Sequence, residues 1–139
     1  MKNWKLNILL TFILTSFLFC TKMSSQYSVN FEGSGETKGS YASGDVILSG
    51  LTWNMTEALI GTSSEDYKVG IRSARLRGYS TSSMTMLQDK TNGLGSISFN
   101  YRRYGTDTQV SWVVQFSTNS GNDWTNIGTA FTPSDVVQT

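Results

Sequence analysis

Apolar side chains recur at every second position along much of this chain, and that period of two restricts its fold more than any other feature. Val110, Trp112, Val114 and Phe116 alternate with Ser111, Val113, Gln115 and Ser117. Ile97, Phe99 and Tyr101 alternate with Ser96, Ser98 and Asn100, and Tyr27, Val29 and Phe31 share one side of a shorter run. In an extended chain such positions fall on one face, so the pattern predicts antiparallel sheets with one apolar face and one wet face. Further strands are predicted over residues 45–48, 51–55, 73–77, 82–87 and 125–131. Gly, Ser and Asn clusters separate them, as at 39–44, 78–81 and 119–123. Short strands at near-regular spacing predict an all-β fold, an antiparallel β-sandwich of jelly-roll type.

The first 25 residues obey a different rule. Lys2 and Lys5 precede an almost wholly apolar run from Leu6 to Cys20, and small residues follow at Ser24 and Ser25. A charged start, a short apolar middle and a small-residue exit are the build of a cleaved secretory signal helix. The apolar run is shorter than the roughly 20 residues that cross a bilayer as a helix, so no membrane span is expected after cleavage. Phe19 before Cys20 departs from the small residue that lipidation of that cysteine would require, and cleavage is placed after Ser25. The expected organisation is a signal peptide over 1–25 and one module over 26–139, secreted or held at the cell surface. Cleavage removes Lys2, Lys5 and Lys22 and leaves 8 basic side chains against 10 acidic ones. It also removes the only cysteine, so the module must be held by its core without a disulfide.

Composition excludes several chemistries. With no histidine there is no Ser-His or Cys-His nucleophile pair and no imidazole base. A mildly acidic chain offers no field for phosphate neutralisation, so no nucleic-acid partner is expected. Glu65 and Asp66 are adjacent in a Ser-rich loop, where side chains on an extended chain diverge. A glycosidase needs two carboxyls about 5–10 Å apart across a cleft, and nothing in the sequence sets two acids that way. The chain is expected not to be an enzyme. Arg72, Arg75 and Arg77 are read as the wet face and end of a strand around Ala74 and Leu76.

Ser117 to Trp124 approximates the Asp-box hairpin of sialidase propellers, with Asn119 in place of the Asp and Asp123 in place of the Thr. Physically it is a tight turn: Asn119 bonds nearby backbone, Gly121 takes positive φ and Trp124 folds over the hairpin. Its role is read as structural.

A set of short words occurs in order along the chain: Phe31-Glu32; Trp53-Asn54 with Ala58-Leu59-Ile60-Gly61; Gly70 with Ser73-Ala74-Arg75-Leu76-Arg77; Ser96 to Tyr101 with Tyr104-Gly105; and Trp112 with Gln115 to Gly121 and Trp124-Thr125. Over about residues 30 to 131 this order resembles the MAM-like, choice-of-anchor-like jelly-roll modules of secreted bacterial proteins. The resemblance implies a non-catalytic accessory module and two more strands beyond Phe131, so the chain is expected to be a fragment lacking its last strands. In similar sandwiches calcium is held by an early acid, matched here by Glu32, together with acids of the missing end. Calcium takes roughly six to eight oxygens, so no cofactor is expected here and structural calcium only in a longer chain.

Trp112 and Tyr101 fall in phase with aliphatic neighbours and are read as core. Trp53 and Tyr104 are less committed, and with Arg102 and Asp107 they form the expected ligand-binding set, Tyr104 foremost. The functional expectation is a carbohydrate-binding or surface-polymer-binding module, or one that presents a neighbouring domain. The alternative is the leading accessory part of a secreted hydrolase, such as a nuclease, whose catalytic domain lies outside this chain. An unfinished sheet is also expected to self-associate through its exposed edge.

Overall fold

The computed structural model describes residues 26–91 and 93–139. The expected signal helix, its cleavage point and Cys20 lie outside the described residues. Seven strands occur in chain order, with no helix among the described residues: β1 (Gly44–Leu48), β2 (Leu51–Thr56), β3 (Ala58–Gly61), β4 (Ser73–Leu76), β5 (Ser83–Met86), β6 (Trp112–Phe116) and β7 (Thr125–Phe131). They form three antiparallel sheets, ordered β1-β2-β5, β3-β4 and β6-β7.

Local chemistry explains the connections. Ser49 and Gly50 link β1 to β2 with φ of 47° and 86°, and two successive positive φ values give a hairpin turn whose twist matches its strands. Buried Glu36 anchors this turn by accepting from Ser49 N at 2.6 Å and, nearer in sequence, from Gly33 N at 3.2 Å. A single residue, Glu57 at φ 48°, carries the chain from β2 in the first sheet to β3 in the second. The Lys38 ammonium donates to the carbonyls of Ser40, Ala42 and Ala58 at 2.5, 2.7 and 2.7 Å, tying the preceding loop to β3.

The core draws on both of these sheets. Val46 and Leu48 of β1, Met55 of β2, and Ala58 and Ile60 of β3 are buried, with Ala74 and Leu76 of β4 and Met84 of β5 packed against them. Alternation explains which residues enter: Val46 and Leu48 point in, while Ile47 between them is exposed.

The third sheet departs from the sequence reading. Val110, Trp112, Val114 and Phe116 were expected to share a buried face, but Trp112 and Val114 are half-buried and Val110 and Phe116 exposed. β7 is exposed at every position but Phe131. Alternation determines which side chains share a face, whereas burial requires a second layer, and no other strand packs broadly on β6 or β7. Residues 27–31 and 97–101 also form no strand, although their patterns suit one. Phe31 takes φ 63°, which breaks an extended run, and Tyr101 makes only an isolated antiparallel bridge to Gln138. Phe99, Tyr101 and Phe131 instead gather as tilted rings, with Tyr101 and Phe131 centroids 4.6 Å apart.

The Asp-box-like hairpin forms its predicted turn. Ser117 Oγ accepts from the Asn119 and Gly121 amides, Asn119 Oδ1 accepts from Asp123 N, and Trp124 Nε1 donates to Gly121 O at 3.1 Å. Gly121 has φ 84°.

Candidate functional site

β4 builds the base of the site. Its core face carries Ala74 and Leu76, so Arg75 and, just beyond the strand, Arg77 project together from the other side. Arg75 does not lie in solvent as the wet face of a strand would. Its Nε and Nη2 donate to the two oxygens of Asp66 at 2.7 and 2.6 Å. The Asp66 side chain is only 2% exposed, and the turn Ser63 to Asp66 holds it, with Ser63 N donating to Oδ2 at 2.9 Å. Asp66 pushes the Arg75 pKa further above its ordinary value, burial opposes this, and Tyr41 adds a smaller hydrogen-bonding contribution upward.

The two guanidiniums and three tyrosines make a ladder. Arg75 Cζ lies 4.0 Å from the Tyr104 ring centroid, and Arg77 Cζ lies 4.0 Å from that of Tyr41 and 5.5 Å from that of Tyr79. These are cation–π distances, so each arginine holds tyrosine rings in place. Arg77 is also paired with Glu57, Nη1 to Oε2 at 3.0 Å.

Beside this ladder opens a cleft of about 370 Å³ whose walls include Tyr41, Arg77, Tyr79, Asp107, Gln109 and Trp112, with Arg75 also lining it. Tyr79 is more than half exposed. A turn from Tyr104 to Asp107, closed by Asp107 N to Tyr104 O at 3.3 Å, delivers its two ends to different tasks. Tyr104 packs on Arg75, and Asp107 faces the cleft. Gly105 within that turn has φ 46°. Gln109 Nε2 donates to the Asp107 carbonyl at 2.8 Å, and Asp107 itself is an exposed residue on the cleft wall.

The four residues expected to bind ligand are thus divided. Asp107 lines the cleft, and Tyr104 supports it from beneath Arg75. Arg102 turns to the 65–67 segment, with Nη2 3.5 Å from Glu65 O and Cζ 5.8 Å from the Tyr67 centroid. Trp53 belongs to β2, where it packs against the core, stacks on Tyr27 at an interplanar angle of 12° and donates from Nε1 to Tyr27 Oη at 2.9 Å. Tyr27 Oη in turn donates to Leu48 O at 2.5 Å, so the indole is fixed within the first sheet.

Glu32, the position matched to a calcium ligand, has one oxygen accepting from Ile71 N and Arg72 N at 2.9 and 3.0 Å. The backbone amides of Ile71 and Arg72 thus cradle its carboxylate, and no group of three or more metal-ligating acids, cysteines or histidines occurs among the described residues.

Sequence reasoning missed Tyr41 and Tyr79, which sit in Gly- and Ser-rich stretches read only as turns, and placed Trp112 in the core although it lines the cleft. The one signal available was the two-residue spacing of Arg75 and Arg77, which sets two cations on one face and calls for aromatic or acidic neighbours there. Compared with models of known protein families, with curated proteins and with solved structures, the chain finds no match.

Proposed function

We propose that this protein is a non-catalytic, exported β-rich module that binds a polysaccharide in the cleft beside β4. The observation that carries this reading is the set of three aromatic side chains, Tyr41, Tyr79 and Trp112, interleaved with Arg77, Asp107 and Gln109 on an open wall. Apolar ring faces suit the C–H faces of pyranose rings, while carboxylate, guanidinium and amide groups suit hydroxyls. A few polar groups set among aromatics is the general pattern of a small-molecule or sugar site. The leading charged and apolar run supports export.

On this reading the sheets are parts of a jelly-roll sandwich akin to the MAM-like modules. The core shared by the first two sheets and the order of the sequence words support that assignment.

The test is retention on polysaccharides. The purified protein is expected to be pulled down by at least one insoluble glucan, xylan or mannan, and Tyr79→Ala to lose that retention while keeping its melting temperature. Tyr79 bears on no core residue, so unchanged retention in that variant overturns the assignment of the cleft.

A further inference from the structure

Resting on the glycan-binding reading, we infer that the cleft selects uncharged polysaccharides and rejects acidic ones. Two arginines on a sugar site at first suggest an anionic ligand such as a uronate or sulfate. The geometry of both argues otherwise. Recognition of a carboxylate or sulfate by arginine relies on its parallel N–H fork. Arg75 has already closed that fork on Asp66, Nε to Oδ1 and Nη2 to Oδ2. An acidic sugar would have to displace a carboxylate whose side chain is 2% exposed and leave it buried without a counter-charge.

Arg77 is committed in another way. Glu57 takes Nη1 at 3.0 Å, and the guanidinium lies against Tyr41 and Tyr79. It therefore serves to hold the rings that a sugar would meet. Asp107 is different, since it is exposed, lines the cleft and has no ion-pair partner among the described residues. Counting their partners Asp66 and Glu57, which do not themselves line the cleft, against the two arginines, Asp107 leaves one net negative charge at the site. Like charge repels an acidic polymer. A strongly cationic polymer gains little either, because exposed Asp107 offers it a single charge that solvent and salt screen. Neutral hexose or pentose chains face neither penalty: ring stacking on Tyr79 and Trp112 and hydroxyl donation to Asp107 need no charge on the ligand.

Affinity gel electrophoresis of the purified protein tests this, using a mixed-linkage β-glucan and a xylan as neutral probes, polygalacturonate as the acidic probe and chitosan as the cationic one. A neutral probe is expected to retard the protein, with an affinity that changes by less than about twofold between low and high salt, since screening acts on charge and not on stacking. Polygalacturonate is expected to give no retardation with the wild type. Asp107→Lys is expected to gain polygalacturonate binding that salt abolishes, with circular dichroism reporting that it folds. Stronger binding of polygalacturonate or chitosan than of the neutral probes, sensitive to Tyr79→Ala, overturns the selectivity and leaves the glycan-binding reading intact. No retardation by any probe overturns the glycan-binding reading itself.

Discussion

The Arg75 guanidinium grips both oxygens of Asp66, at 2.7 and 2.6 Å, and at the same time lies 4.0 Å above the centre of the Tyr104 ring. One side chain of β4 thereby ties together the 63–66 turn, the 104–107 turn and the strand itself. Breaking a buried pair by removing one partner leaves the other charged and uncompensated. Asp66→Ala is expected to lower stability by about 3 kcal/mol in urea unfolding. Asp66→Ala combined with Arg75→Met is expected to recover part of that loss. A double variant less stable than the sum of the single effects contradicts the pairing.

Gly61 shows how closely this pair is enclosed. A Cβ at that position would stand 2.9 Å from Asp66 Cγ and 3.0 Å from Arg75 Nη2. Gly61→Ala is therefore expected to push the bidentate pair apart and cost about 2 kcal/mol, as overpacking does. Gly35, around which an added Cβ meets nothing, is the control: Gly35→Ala is expected to leave the urea midpoint nearly unchanged.

Tyr27 sets a limit on stability in alkali. Burial, with a smaller contribution from the Glu36 charge, raises its pKa above the ordinary 10.0, and the hydrogen bond from Trp53 opposes the rise. The folded state thus holds the phenol neutral more firmly than the unfolded chain does. That contribution is fully present below the unfolded pKa and is lost as pH rises through the higher folded value. Wild-type unfolding midpoints are expected to fall above pH 10.0, and Tyr27→Phe, lacking the group, to fall less steeply. Parallel curves for the two proteins would remove Tyr27 as the cause.

The β6-β7 sheet has two strands only, so each keeps one edge without a partner among the described residues. Val113, Phe116 and Ile127 on it are exposed. An open edge with apolar side chains is a template for another strand, and a second copy of the chain is the strand at hand. Sedimentation velocity is expected to show concentration-dependent association. Val113→Lys, which sets a charge on the edge strand, is expected to shift the distribution toward monomer. A wild type that stays monomeric at every concentration contradicts this.

The hairpin from Ser117 to Trp124 is expected to fail at Gly121. Its φ of 84° suits glycine, and an added Cβ meets only Trp124 Cζ2 at 3.5 Å, an ordinary contact. Backbone strain and not a clash therefore sets the cost, about 1 kcal/mol for Gly121→Ala by thermal unfolding. Ser120 beside it already takes φ 56° and donates from Oγ to Asp89 at 2.7 Å, so Ser120→Gly relieves the backbone while losing that exposed bond and is expected to be nearly neutral.

What the sequence determined by itself is what neighbouring residues decide among themselves. Strand patterning marked β1, β2, β4, β5, β6 and β7 to within a few residues, most clearly by alternation at β6, and turn chemistry marked the Ser117 to Trp124 connection. Those signals arise from side-chain direction and local backbone preference, which need no distant partner. Tertiary structure alone decided which apolar faces are covered. Val46 and Leu48 meet β3 and β4 across the core, whereas Val110 and Phe116, with equally good alternation, remain exposed. It also decided the cleft, because Tyr41, Arg77, Asp107 and Trp112 come from four separate segments, and their chemistry exists only once the chain has brought an arginine to a tyrosine and left one carboxylate free beside them.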